Sequence, residues 1–225
     1  KYEKGLAIRT QVLGEAYVNK SIENADDFNK PLQELVTEYC WGHVWGREGL
    51  SLQERSMINL AMISALNRPH ELKLHIRGAL RNGLSREQIR EILLQVGIYC
   101  GVPAAVDSFR IAREAFAEAE AEARAEAALA RFGIEALGPR RVHELSGGEL
   151  QLAAIASVAA TGPDILIFDE PVNQLDLKNR RRVVDAIHAL SENAIVISHD
   201  LPLVEDFDRV LVFHEGRIVF DGAPA

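Results

Sequence analysis

The apolar pattern of this 225-residue chain changes period near residue 122, and no single fold class serves both sides of the change. Before it, apolar residues recur at helical spacing. Ser51-Leu-Gln-Glu54 is a capping box, and Met57, Ile58, Ala61, Met62 and Ala65 then repeat at helical spacing. Leu72, Ile76 and Leu80 mark a second helix, stopped by Asn82-Gly83. Ser85-Arg-Glu-Gln88 opens a third, with Ile89, Ile92, Leu93 and Val96 inward; Gly101-Val-Pro103 ends it and another starts near Ala104. After the change, short β-rich runs appear at Ile165–Phe168, Ala194–Ser198, Val210–Phe213 and Arg217–Phe220. The first two are continuous apolar runs separated by a helical stretch at Arg180–Leu190, which predicts parallel strands buried on both faces. Between the halves, Ala115–Arg131 contains no Gly, Pro or Ser and predicts an unbroken helix rather than a flexible linker. The expected organisation is an all-α domain over residues 1–122, then an α/β piece over 123–225.

Composition narrows the function classes. The net charge is −8 and falls almost entirely after residue 124, so no basic face is expected and nucleic acid is excluded as a partner. No apolar run reaches the length that crosses a bilayer, and the opening Lys-Tyr-Glu-Lys leads into no secretory leader. Two cysteines, Cys40 and Cys100, lack the number for a disulfide scaffold and the spacing for a metal site. A cytoplasmic location with reduced thiols is the expectation.

Two clusters in the first half carry chemistry. Glu38-Tyr-Cys-Trp-Gly-His43-Val-Trp-Gly-Arg47 sets Trp41, Trp45, His43 and Arg47 within ten residues, and His70-Glu71-Leu-Lys-Leu-His75-Ile-Arg77 follows. On a helix Glu71 and His75 are i,i+4 neighbours, so the carboxylate can orient the imidazole and raise its pKa; taken alone, such a pair is more often a surface contact. Glu54, Glu71, His75 and Arg77 form a proton-transfer and anion-binding set if packing converges them.

Residues 2–117 resemble the γ-carboxymuconolactone decarboxylase family over nearly their whole length. The stretches that carry this are YEKGLAIRTQVLGEAYV, YCWGHVWGREGLSLQERSMINLAMISALNRPHELKLHIRGALRNGLSREQIREILLQ and YCGVPAAVDSFRIAREAF. The resemblance implies an all-α fold, homo-oligomers (typically hexamers) and no metal or organic cofactor. It implies conversion of 4-carboxymuconolactone to 3-oxoadipate enol-lactone and CO₂ in protocatechuate breakdown, part of the β-ketoadipate route of aromatic hydrocarbon catabolism. Decarboxylation moves charge into an unsaturated lactone, and a proton must arrive at carbon as CO₂ leaves. His75, oriented by Glu71, is then the candidate acid/base and Glu54 a supporting one. His43, between Trp41 and Trp45, closes the pocket or shares the acid role. Arg47 and Arg77 are candidates for the substrate carboxylates, where a bidentate fork favours Arg over Lys. Peroxidase relatives carry Cys-x-x-Cys where this chain has Arg68 and Glu71, which argues against thiol redox chemistry.

The second half holds Leu145-Ser146-Gly147-Gly148-Glu149, then Ile165-Leu-Ile-Phe-Asp169-Glu170-Pro171, Asn173-Gln-Leu-Asp176 and Ile195-Val-Ile-Ser-His199-Asp200. In that order they resemble the signature, Walker B strand, D-loop and switch histidine of ABC-transporter ATPases. The implied fold is an incomplete P-loop NTPase-type α/β fragment with a parallel sheet, and the implied ligand is Mg-ATP. By that resemblance Asp169 holds Mg²⁺ through water, Glu170 polarises the attacking water and His199 meets the γ-phosphate. Leu152 stands where the family usually has a basic residue, and Asn173-Gln174 replaces small D-loop residues, which places the fragment among divergent energy-coupling (cobalt or biotin) types. No Gly is followed by Lys anywhere, so the phosphate-binding Gly-x-x-x-x-Gly-Lys-Ser/Thr loop is absent from the sequence. Three readings follow: a lyase carrying an inert ABC fragment, an artificial chimera with neither activity, or an ABC-type module that acts only with a complete partner subunit.

Overall fold

In a computed structural model, residues 1–173, 175–190, 194–200, 203 and 207–224 are described, and Gln174 of the expected D-loop lies outside them. The described chain separates into two units, Lys1–Glu120 and Ala121–Ala225.

The first unit is helical throughout: α1 (Tyr2–Leu13), α2 (Glu15–Glu23), α3 (Lys30–Leu35), a π-helical segment (Val36–Trp45), α4 (Leu52–Ala65), α5 (Pro69–Arg81), α6 (Arg86–Tyr99) and the start of α7 (Val102–Arg131). Both capping boxes form, Glu54 N donating to Ser51 Oγ and Gln88 N to Ser85 Oγ, each at 3.2 Å. The helix expected near Ala104 starts at Val102, because Pro103 fits the first turn, where its missing N–H is not needed. Leu60, Leu72, Ile76, Ala79, Ile89 and Leu93 form one core with Ile111, Ala112 and Ala115. Val12, Leu13, Val18 and Trp41 form a second, smaller one.

The inward face of α4 is not its most apolar one. The buried residues are Ser56, Leu60 and Ser64, while Ile58 and Met62 are 47% and 51% exposed. The inward side carries polar contacts that apolar counting passes over: Asn82 Nδ2 donates to Ser56 Oγ at 2.9 Å.

The second unit begins within α7 and holds α8 (Gly147–Ala159), β1 (Leu166–Asp169), α9 (Leu177–His188), β2 (Ala194–Ile197), β3 (Val210–His214) and β4 (Arg217–Gly222). β1 and β2 pair in parallel with Leu166 opposite Ala194 and Asp169 opposite Ile197; β3 and β4 form a separate antiparallel hairpin. The core packs Leu152, Ile155 and Ala156 of α8 and Val183, Val184 and Ile187 of α9 on Leu166 and Phe168. The expectation of burial on both sheet faces is overturned, since Ile167 is 65% exposed and Ile195 and Ile197 are 52% exposed. The reason is layering: helices cover one face of this two-stranded sheet, and among the described residues nothing in the unit covers the other.

Candidate functional site

The π-helical segment and α5 build the site of the first unit. π-helical geometry is rare and is frequent at functional positions. Trp41, Trp45 and Thr37 recur every four residues along the segment, with Trp41 buried in the smaller core. The rings of Trp41 and Trp45 lie 4.7 Å apart between centroids. The His75 ring from α5 lies nearly parallel to both, at 6.3 Å from Trp41 and 6.4 Å from Trp45.

Burial against this aromatic wall lowers the His75 pKa to about 4, and the nearby Glu71 carboxylate opposes the shift without reversing it. His75 is therefore a neutral imidazole at pH 7. Its Nδ1 lies 3.0 Å from Asn59 Nδ2 on α4. An amide NH₂ only donates, so Nδ1 accepts and the ring proton sits on Nε2. Thus Asn59 makes the hydrogen bond expected from Glu71, whose influence on the ring is electrostatic and whose side chain is exposed.

Other candidate residues fall around this centre or away from it. Glu54 caps α4, accepting from Ser51 N at 2.7 Å, and those bonds hold its carboxyl below the usual range. His43 is exposed and meets Tyr39 edge-to-face at 5.8 Å, rather than lying between the tryptophans. Arg47 is exposed just past the π-helical segment, its carbonyl accepting from Arg55 Nη2 at 3.0 Å. Arg77 is two residues from His75, so it leaves the helix in another direction, and its Nη1 is 3.9 Å from Glu118 Oε2. The structure brings together His75, Trp41, Trp45 and Asn59. Asn59 escaped the sequence reading because it sits between Ile58 and Leu60, in a run read for apolar spacing; a polar amide in that place was the available signal.

The second unit assembles a different constellation. Ser146 caps α8, accepting from Glu149 N at 3.4 Å and donating to Glu149 Oε2 at 2.8 Å. Arg140 Nη1 holds Glu149 Oε1 at 3.0 Å. Gly147 has open space where a Cβ would stand, whereas at Gly148 a Cβ would lie 2.4 Å from Asn179 Cγ on α9. Asp176 caps α9 through Asn179 N at 2.8 Å. Glu170 follows Asp169 at the end of β1 with a positive φ of 49°, its N–H donating to Ile197 O at 2.8 Å. That turn aims the Glu170 carboxylate at His199, with Oε1 2.6 Å from Nδ1 and 3.0 Å from the backbone N. Ser198 Oγ donates to Oε2 at 3.3 Å. The side-chain bond to His199 lowers the Glu170 pKa, and the same bond raises that of His199.

Among the described residues no three His, Cys, Asp or Glu side chains converge to hold a metal, and no helix is long and apolar enough to cross a membrane.

The sequence pattern of the Carboxymuconolactone decarboxylase family matches residues 30–114. The 4-carboxymuconolactone decarboxylase of Acinetobacter baylyi is 40% identical over 116 residues, covering 52% of this chain and 87% of that protein. A nitrosuccinic acid decarboxylase of Metarhizium robertsii is 39% identical over 113 residues, 50% of this chain and 79% of that protein. A biotin transport ATP-binding protein of Rhizobium etli is 63% identical over 114 residues, 51% of this chain and 51% of its own length. The chain thus spans about half the length of the ATP-binding relative that it matches.

Proposed function

We propose, for a chain that belongs to the carboxymuconolactone decarboxylase family through its first unit, that this unit is a carboxy-lyase acting on 4-carboxymuconolactone without metal or organic cofactor. The observation that carries the reading is His75, a neutral imidazole set parallel to Trp41 and Trp45 and held by Asn59. When the C–CO₂⁻ bond breaks, its electron pair moves into the unsaturated lactone, and the enol-lactone forms once carbon takes a proton. The Nε2–H donates toward the charge that develops, in a site walled by two indole rings. A bound, negatively charged substrate also favours imidazolium; protonation at Nδ1 from solvent then has Asn59 turn its amide oxygen to the ring, and Nε2 gives its proton to carbon. Glu71 tunes the ring, and Arg47 and His43 at the exposed end of the π-helical segment meet the substrate carboxylates. CO₂ release measured with and without EDTA, on the chain and on His75→Ala, tests the assignment.

The same unit forms homo-oligomers in this reading. Its support is apolar surface: Leu66, Ile98, Tyr99, Val102 and Val106 are all exposed. Native mass spectrometry checks it. A cytoplasmic, water-soluble enzyme with a small lactone substrate and no nucleic-acid partner completes the reading.

The second unit does not hydrolyse ATP alone. Its residues do not fit Mg-ATP: the phosphate-binding loop is absent, and both Glu170 carboxylate oxygens are engaged by Ser198 and His199. A second reading has this unit bind a complete ATP-binding subunit and contribute Ser146–Glu149 to its nucleotide site. What favours it is that the signature turn and its cap are formed.

A further inference from the structure

Arg9 is the one charged residue that is buried among the described residues, at 4% exposure. It donates from Nη1 to Thr37 Oγ1 at 2.8 Å and from Nη2 to Gln33 Oε1 at 2.7 Å. Its Nε has no partner, and no ion pair forms on it among the described residues. Burial lowers its pKa, only partly offset by Tyr17 and Tyr2. As a stabilising element this is poor, because a neutral side chain of similar length would fill the space without desolvating a charge or stranding a donor.

What arginine supplies is a rigid fork that holds two acceptors at once. Gln33 belongs to α3 and Thr37 to the π-helical segment, so the fork spans the junction at Val36 where the helix changes pitch. α1 also meets the segment backbone to backbone: a Cβ on Gly5 would lie 2.0 Å from Thr37 O and 2.8 Å from Gly42 N. One on Gly42 would lie 2.7 Å from Lys1 O. π-helical geometry is rare, and here α1 packs against the stretch at Gly5 and bonds to it at Arg9.

The geometry points to Arg9 as a positioning residue of the decarboxylase site, pinning the α-to-π junction and so fixing Trp41 and Trp45 against His75. Its kinetic consequence rests on the decarboxylase reading; its structural consequence does not.

The chain has two tryptophans, and both lie in this segment, so tryptophan fluorescence, excited selectively over tyrosine, reports on it alone. In Arg9→Met we expect greater acrylamide quenching, a red-shifted emission and a kcat lower by up to about 10²-fold with KM changed far less, as a misplaced catalytic group implies. Arg9→Lys keeps the charge without the fork and should resemble Arg9→Met. Thr37→Val keeps the guanidinium and removes one acceptor; it should move the same readouts, and it decides the matter if Arg9→Met does not fold. Leu60→Ala, in the other core, should lower the unfolding midpoint and leave quenching alone. Wild-type quenching and kcat in both Arg9→Lys and Thr37→Val would overturn the proposal. A native chain that turns over no lactone would sink the decarboxylase reading instead, and the quenching comparison would still test the junction.

Discussion

Asn59 Nδ2 on α4 stands 3.0 Å from His75 Nδ1 on α5, and this one bond fixes which imidazole nitrogen carries the proton. The free Nε2–H then points the ring's donor away from α4. Losing one neutral hydrogen bond, about 1 kcal/mol, should lower kcat by roughly fivefold in Asn59→Leu, since 1.36 kcal/mol is a tenfold change in rate. A larger loss would mean the tautomer itself has changed. Steady-state kinetics on the variant, with ring ¹⁵N shifts of His75, check both.

The lowered His75 pKa makes stability depend on pH with a definite sign. The folded group titrates at about 4 and the unfolded one near 6.5. Above the unfolded value both states are neutral and the contribution is fully present. As pH falls below it, the unfolded chain takes up a proton that the folded site resists, and stability is lost until the folded value is passed. The total is on the order of 3 kcal/mol for a shift of this size. Urea unfolding of the chain and of His75→Phe, compared between those two pH values, should differ by that slope. Parallel curves would show that His75 is not kept neutral.

His199 carries the opposite sign. Glu170 raises its pKa, so the pair contributes below the unfolded value near 6.5 and its contribution fades as pH rises through the folded one. Glu170→Gln should move the His199 NMR titration downward. The same chain should release no phosphate from ATP above background, because neither the loop nor a disengaged carboxylate is present.

Gly148 gives a packing test. An added Cβ would lie 2.4 Å from Asn179 Cγ, and Asn179 is tied down by Asp176, Nδ2 donating to Oδ2 at 3.0 Å. Gly148→Ala should destabilise the second unit by about 1–3 kcal/mol, the usual cost of overpacking. Adding Asn179→Ala should recover much of the loss. Thermal unfolding followed in this unit checks both variants.

The two fold classes were legible because periodicity is a local property, and so were the caps at Ser51 and Ser85. The sheet's bare face was not, since Ile167 and Ile195 look identical in sequence whether or not a layer covers them. Of the site, His75 and the tryptophans stood out by residue type, whereas Asn59 and Arg9 depend on which helix faces meet. The π-helical segment left no periodic trace of its own, because its restraint comes from α1, far away in sequence. The uncovered isoleucines carry their own expectation. Amides of Ile165–Phe168 should exchange with solvent far faster than those of Met57–Ala65, as a sheet open on one face allows.

If the first unit decarboxylates through His75 with no metal, consumption of its substrate reports it. The direct measurement is loss of 4-carboxymuconolactone, with CO₂ captured, by the whole chain in EDTA. Turnover should be unchanged by EDTA, with a kcat lower by roughly 10²–10⁴-fold in His75→Ala, the range for a general acid or base. Turnover abolished by EDTA, or a His75→Ala chain as active as its parent, would contradict it.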